Sequence, residues 1–64
     1  MRLTDFWQRM EEQFGAAYAS SIARDQTLPP LGSRTVEEAL AEGEDPKRIW
    51  RAVCEVFDCP SHLR

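Results

Sequence analysis

Between Arg34 and Pro60 the chain carries the start and stop signals of two helices, joined by a very short turn. Thr35 is an N-cap residue, and Glu38 stands three positions on, the spacing of a capping box in which each side chain takes a backbone N–H that the helix leaves open. Gly43 suits the left-handed position that closes the first of the two helices. Asp45 then caps a second helix with Pro46 at its first position, where a missing N–H costs nothing. These signals predict one helix over Val36 to about Glu42 and another over Pro46 to about Phe57. A helix, a glycine turn and a helix is also the outline of a DNA-reading motif, so this run sets the functional question.

The remainder reads as helix as well. Thr4 is the expected N-cap of a helix from about Asp5 to Phe14, with Asp5 well placed against the helix dipole. Leu3, Phe6, Trp7, Met10 and Phe14 fall on one stripe about 100° wide, enough to dock on one neighbour and no more. Gly15 ends this helix or forms the joint into the next, Ala16 to Gln26. There Tyr18 and Ile22 are expected in the core, with Ala19 and Ala23 small enough to admit a close helix. Pro29 pushes Leu28 out of the helical region, and Pro30 does the same to Pro29. The segment Leu28–Ser33 is thus expected to be a stiff connection whose two leucines, Leu28 and Leu31, pack down. No strand-like alternation is present. The apolar set of the last helix, Ile49, Trp50, Val53, Cys54, Val56 and Phe57, spans an arc of about 160° and predicts contact with more than one neighbour. Asp58 to Ser61 then stop this helix, and Leu63 is expected to fold back.

Size and charge narrow the classes. A chain of 64 residues makes one domain, residues 1–64. At this length only about 60% of the unfolded surface is buried, which leaves little room for an enclosed active site beside a core. Net charge is −3, from 8 basic and 11 acidic residues shared between both halves. Such a chain has no general attraction for phosphate backbones or anionic lipid. No stretch is long enough to span a membrane. The amphipathic start, with its three acids, reads as neither a signal nor a transit peptide. The expected compartment is the cytoplasm, with Cys54 and Cys59 as reduced thiols and no disulfide.

Catalytic chemistry is poorly supported. The one histidine, His62, lies near the C-terminal end, and no phosphate-binding loop or nucleophile–base pair is present. The carboxylate neighbours Glu11–Glu12 and Glu37–Glu38 point about 100° apart on a helix and read as solvated faces. Cys54, Cys59 and His62 form C-x4-C-x2-H, one loose pair where tetrahedral zinc needs four ligands, and Cys54 fits the apolar arc as a small hydrophobe. No catalytic residue, cofactor or metal is therefore expected.

For DNA reading, Lys47, Arg48 and Arg51 lie early in the last helix, where base edges are met. Against it, Glu44 follows the glycine where an apolar residue normally locks the two helices. Glu37, Glu38 and Glu42 load the preceding helix with acid, and Trp50 with its wide apolar arc argues for burial. Trp7 and Trp50 are interface candidates, the latter flanked by Arg48 and Arg51, although both also suit a small core.

The segments MRLTDFWQRMEEQFGAAYASSIARD and LGSRTVEEALAEGEDPKRIWRAVCEVFDCP closely resemble a family of very short actinobacterial proteins catalogued only as a domain of unknown function. The specific pieces are Met1–Thr4 with Phe6–Trp7, Arg34–Thr35 with Glu38–Leu40, Asp45–Pro46 and Trp50–Cys54. The resemblance implies a small cytosolic all-helical domain, encoded near the recombinase of DNA repair, and brings no site residues with it. The chain departs from the family's pattern at Pro29–Pro30, where helix-compatible residues are commoner, and at Glu44, where valine is commoner.

The expectation is thus an all-α bundle of three to four short helices with the last one central. Its core comprises Phe6, Met10, Phe14, Tyr18, Ile22, Leu31, Val36, Leu40, Ile49, Val53 and Phe57. The expected role is that of a non-enzymatic protein-interaction module, with Trp7, Lys47, Arg48, Trp50 and Arg51 as the candidate surface. The alternative is a helix-turn-helix-like DNA-binding domain, which the net charge disfavours. A homodimer that hides a surplus apolar edge is the third reading.

Overall fold

A computed structural model of the chain describes residues 1–59. Within them lie four helices and a small antiparallel sheet. The order is α1 (Leu3–Phe14), α2 (Ala16–Asp25), β1 (Thr27–Leu28), a 3-10 turn (Pro29–Leu31), β2 (Arg34–Thr35), α3 (Val36–Ala41) and α4 (Pro46–Phe57). The fold is therefore mostly helical and not purely all-α.

The strands correct the expectation of an unpaired connection. Thr27 faces Thr35 and Leu28 faces Arg34 across the pair. Pro29 holds Leu28 in extended backbone, as read from the sequence. Pro30 does not extend Pro29, because the proline ring's φ near −65° also suits a 3-10 turn, and Pro29 opens one. The turn reverses the chain, and Gly32 and Ser33, both at positive φ, complete it. Their N–H groups donate to Pro29 O at 3.0 Å and Leu28 O at 3.1 Å. Leu28 and Leu31 are buried, so the two leucines do pack down.

The α3–α4 hairpin follows its signals. Glu38 N donates to Thr35 Oγ1 at 3.1 Å and Thr35 N to Glu38 Oε1 at 2.8 Å, the reciprocal pair of a capping box. At the other end, Glu44 N donates to Ala39 O and Gly43 N to Leu40 O. Those two bonds, with Gly43 at φ +87°, are the Schellman closure that a glycine past a helix end permits. Asp45 Oδ1 accepts from Lys47 N at 3.0 Å and opens α4 behind Pro46.

At the start of α1 the cap is Arg2 and not Thr4, which lies inside the helix. Arg2 N donates to Asp5 Oδ2 at 3.3 Å. Asp5 therefore serves the residue three before it, and the helix gains two residues beyond the expected start. Gly15 is the joint into α2. Its backbone, φ 87° and ψ 148°, lies outside the regions open to L side chains and reverses the chain within one residue. α2 then ends at Asp25, one residue short of the expected Gln26.

This joint lays α2 against α1, while α1 also meets α4. The stripe on α1 serves two neighbours, where its width suggested one. Phe6 makes the contact with α4: it sits edge-on to Trp50 at 6.1 Å, and edge-on to Trp7 of its own helix at 5.4 Å. A second edge-on pair, Phe14 with Phe57 at 5.0 Å, joins the ends of the same two helices. α4 buries Ile49, Trp50, Ala52, Val53 and Cys54 and touches α1, α3, β1 and the 3-10 turn. Each fully buried aliphatic or aromatic side chain here contributes roughly 1.5–3 kcal/mol against conformational entropy.

Of the expected core, Phe6, Met10, Leu31, Val36, Ile49 and Val53 are buried, and Phe14, Ile22, Leu40 and Phe57 pack half-buried against it. Tyr18 is the exception, at 69% exposed. The face of α2 that docks carries Ala19 and Ala23. A helix that approaches through alanines comes too close for a tyrosine to share the contact, so the ring is turned out. His62 and the expected return of Leu63 lie outside the described residues.

Candidate functional site

The hairpin turn is held by charge at the position where a helix-turn-helix motif carries an apolar lock. Arg34 Nη2 donates to Glu44 Oε2 at 2.7 Å, Nη1 to Glu42 Oε1 at 2.8 Å, and Nε to Leu31 O at 2.7 Å. One guanidinium thus joins the 3-10 turn, the end of α3 and the residue before the α4 cap. The planar fork of arginine meets several acceptors at once, which an ammonium does not. The Glu44 bond foremost, then that of Glu42, raises the Arg34 pKa further above its ordinary range. Two of the acids that weighed against DNA binding therefore serve the turn.

The same turn separates the basic residues of α4. Arg48 Nε lies 3.9 Å from Glu44 Oε2, on the side of the ion-pair cluster. Lys47 and Arg51, four residues apart and hence on one helix face, have no such carboxylate within ion-pair distance among the described residues. They line a depression of about 380 Å³ together with Met1, Arg9 and Trp50. A second depression, of about 370 Å³, is lined by Trp50, Arg51, Cys54 and Glu55. The two share Trp50 and Arg51. On the helix, positions 47, 50, 51, 54 and 55 span an arc of about 140°, and position 48 lies at its edge beside position 55, on the side of Glu44.

The five candidate surface residues thus part company. Lys47, Trp50 and Arg51 are brought together. Arg48 lines neither depression. Trp7 is half-buried against Phe6 and also lines neither. Trp50 is only 2% exposed, so it is the floor of both depressions and part of the core, not a projecting anchor. Of the three cations of α4, Lys47 and Arg51 line the first depression and Arg48 does not.

Arg9 is the member that sequence reasoning missed. On the sequence it is only a polar position of α1 outside the apolar stripe. Its position beside Lys47 and Arg51 depends on how α1 rotates onto α4, which the Phe6–Trp50 contact sets and no local pattern records. Before residue 60 the chain has seven basic side chains, the eight of the whole chain less Arg64. Arg24, Arg34 and Arg48 each lie within ion-pair distance of a carboxylate. Of the other four, Arg9, Lys47 and Arg51 line the same depression, and no ion pair involves them among the described residues.

Cys54 lies at the wall of the second depression, and Cys59 is buried beyond the helix end. The histidine of the C-x4-C-x2-H pattern is outside the described residues, and among those described no group of three metal-ligating side chains comes together. No helix among them is long and apolar enough to cross a membrane.

No curated protein and no solved structure matches the chain. A family described as protein of unknown function (DUF3046) matches residues 1–62. That span takes in α1 through α4, the Arg34 cluster and both depressions, and the chain belongs to this family.

Proposed function

We propose that the chain is a non-enzymatic protein-interaction module of the cytoplasm, built around α4 as its central helix, and that it docks a partner through the face shared by Trp50 and Arg51. One observation carries this reading: two adjoining depressions combine an apolar floor with three cations, none of which lies within ion-pair distance of a carboxylate among the described residues. Arginine is enriched at interface centres, where it lies beside apolar surface. The test is quantitative partner capture in the native host with wild type, Arg51→Glu and Arg48→Ala. The partner is expected to be lost with Arg51→Glu and kept with Arg48→Ala, since Arg48 lines neither depression. The reading fails if no captured protein responds to Arg51→Glu.

The competing reading, a DNA-binding domain, draws on the same three cations. It predicts binding to mixed-sequence duplex that weakens steeply with salt and falls when Lys47 or Arg51 is neutralised. The net charge of −3 and the concave shape of the basic site favour a protein partner over a duplex.

A further inference from the structure

We infer that this face takes an acidic peptide segment of a partner, carboxylates first and a large apolar side chain next to them. The inference rests on the reading of the chain as an interaction module and adds the chemistry of what it binds.

Charge sets the first half. Arg9, Lys47 and Arg51 converge on one depression from two helices, in a chain that is acidic overall. Bringing three like charges to one place is unfavourable unless something of opposite sign is met there. Among the described residues no carboxylate lines that depression. A glutamate or aspartate side chain reaching in would accept from two guanidinium groups and an ammonium, the strong charge-assisted class of hydrogen bond.

Shape and apolarity set the second half. Beyond Arg51 the surface dips again over Trp50 and Cys54, both buried and apolar, at a depression of about 370 Å³. That is room for a leucine or an aromatic ring. Glu55 stands at this second depression and repels acid there. The arrangement therefore has a direction: acid over Lys47, an apolar anchor over Cys54, and no acid beyond it. A phosphate backbone, charged at every step, would meet Glu55 and leave the apolar depression unfilled, so a peptide fits better than a nucleic acid.

The experiment is selection of random dodecapeptides displayed on phage against the wild-type chain and against the double variant K47E/R51E, both verified as folded by circular dichroism. Both positions are exposed, so the double variant is expected to fold. Wild type should select peptides rich in Asp or Glu beside one Leu, Phe or Trp. A synthetic peptide from that pool should bind the double variant roughly tenfold more weakly or worse, since like charges then meet. The double variant should select without acid enrichment. Peptides that bind wild type with no preference for acid would overturn the inference and leave the module intact. The same acid enrichment on both proteins would place the site elsewhere and overturn it too. Selection of no peptide at all counts against module and inference together. If mixed-sequence duplex DNA displaces the peptide at physiological salt with the same dependence on Lys47 and Arg51, the site belongs to nucleic acid and the inference falls.

Discussion

Arg34 Nη2 donates to Glu44 Oε2 at 2.7 Å, and this bond fixes the turn between α3 and α4 to the strand that precedes α3. A glutamate at that turn looks misplaced in the sequence, where an apolar residue would be the ordinary lock. In the fold it has a partner ten residues earlier. Arg34 reaches three acceptors on three segments, so replacing it with lysine should destabilise nearly as much as replacing it with alanine. Both variants are expected to lower the urea midpoint and to speed amide exchange at Gly43 and Glu44 more than in α1. A lysine variant indistinguishable from wild type would show that charge alone suffices. The pH dependence has a defined sign. The Arg34 pKa is raised on folding, so its contribution is complete at and below the ordinary arginine range and is lost only as pH rises beyond it. The difference between wild type and Arg34→Ala should therefore be flat across neutral pH, as read from urea midpoints at several pH values.

Gly15 occupies backbone that L side chains rarely adopt, at φ 87° and ψ 148°, and an added Cβ would meet no heavy atom within 4 Å. The cost of Gly15→Ala is thus conformational and not steric crowding, about 1–3 kcal/mol for such a residue. Gly32, at φ 69° and ψ 33°, is in the left-handed helical region that asparagine tolerates. Urea unfolding should show Gly15→Asn to be more damaging than Gly32→Asn. Equal losses would mean that the α1–α2 joint relaxes to accept a side chain.

The parts of this fold legible in the sequence are those fixed by neighbours along the chain. Thr35 with Glu38, Gly43 at the left-handed close of α3, and Asp45 with Pro46 each act within five residues, and all three form as read. The parts that were not legible are set by the third dimension. Thr27–Leu28 and Arg34–Thr35 are too short to alternate, so their pairing leaves no period to find. Arg9 joins Lys47 only after α1 has docked, and Arg34 finds Glu42 and Glu44 across a helix. Of the candidate surface, Lys47, Trp50 and Arg51 are brought together on α4, whereas Arg48 stands beside Glu44 and Trp7 beside Phe6.

Tyr18 and Ala23 exchange the roles that size alone would assign them. Tyr18 is largely exposed and Ala23 is fully buried. Tyr18→Ser should change stability by no more than about 0.5 kcal/mol, the ordinary range for surface substitutions. Ala23→Leu should cost about 1–3 kcal/mol, because the added methylenes must force apart elements in contact. Chemical denaturation of the two variants checks the pair. A strongly destabilised Tyr18→Ser would return the tyrosine to the core and would require α2 to be rotated on its axis.

Phe6 lies edge-on to both tryptophans, yet the two differ in burial: Trp50 is 2% exposed, whereas Trp7 is half-buried. Trp7→Phe leaves Trp50 as the sole indole, and its emission should be blue-shifted and resist acrylamide. Trp50→Phe leaves Trp7, which should be red-shifted and quenched more readily. Phenylalanine is the right replacement because the stability available is small. At about 0.05–0.15 kcal/mol per residue this chain has roughly 3–10 kcal/mol in total. Truncating a buried tryptophan to alanine removes about 3–5 kcal/mol and would unfold much of the population. If the indole left by Trp7→Phe were quenched as readily as the one left by Trp50→Phe, Trp50 would be an exposed anchor and not the floor of the docking face. A partner peptide bound over Cys54 should then protect Trp50 strongly from acrylamide, whereas a floor residue that is already buried should gain almost no protection.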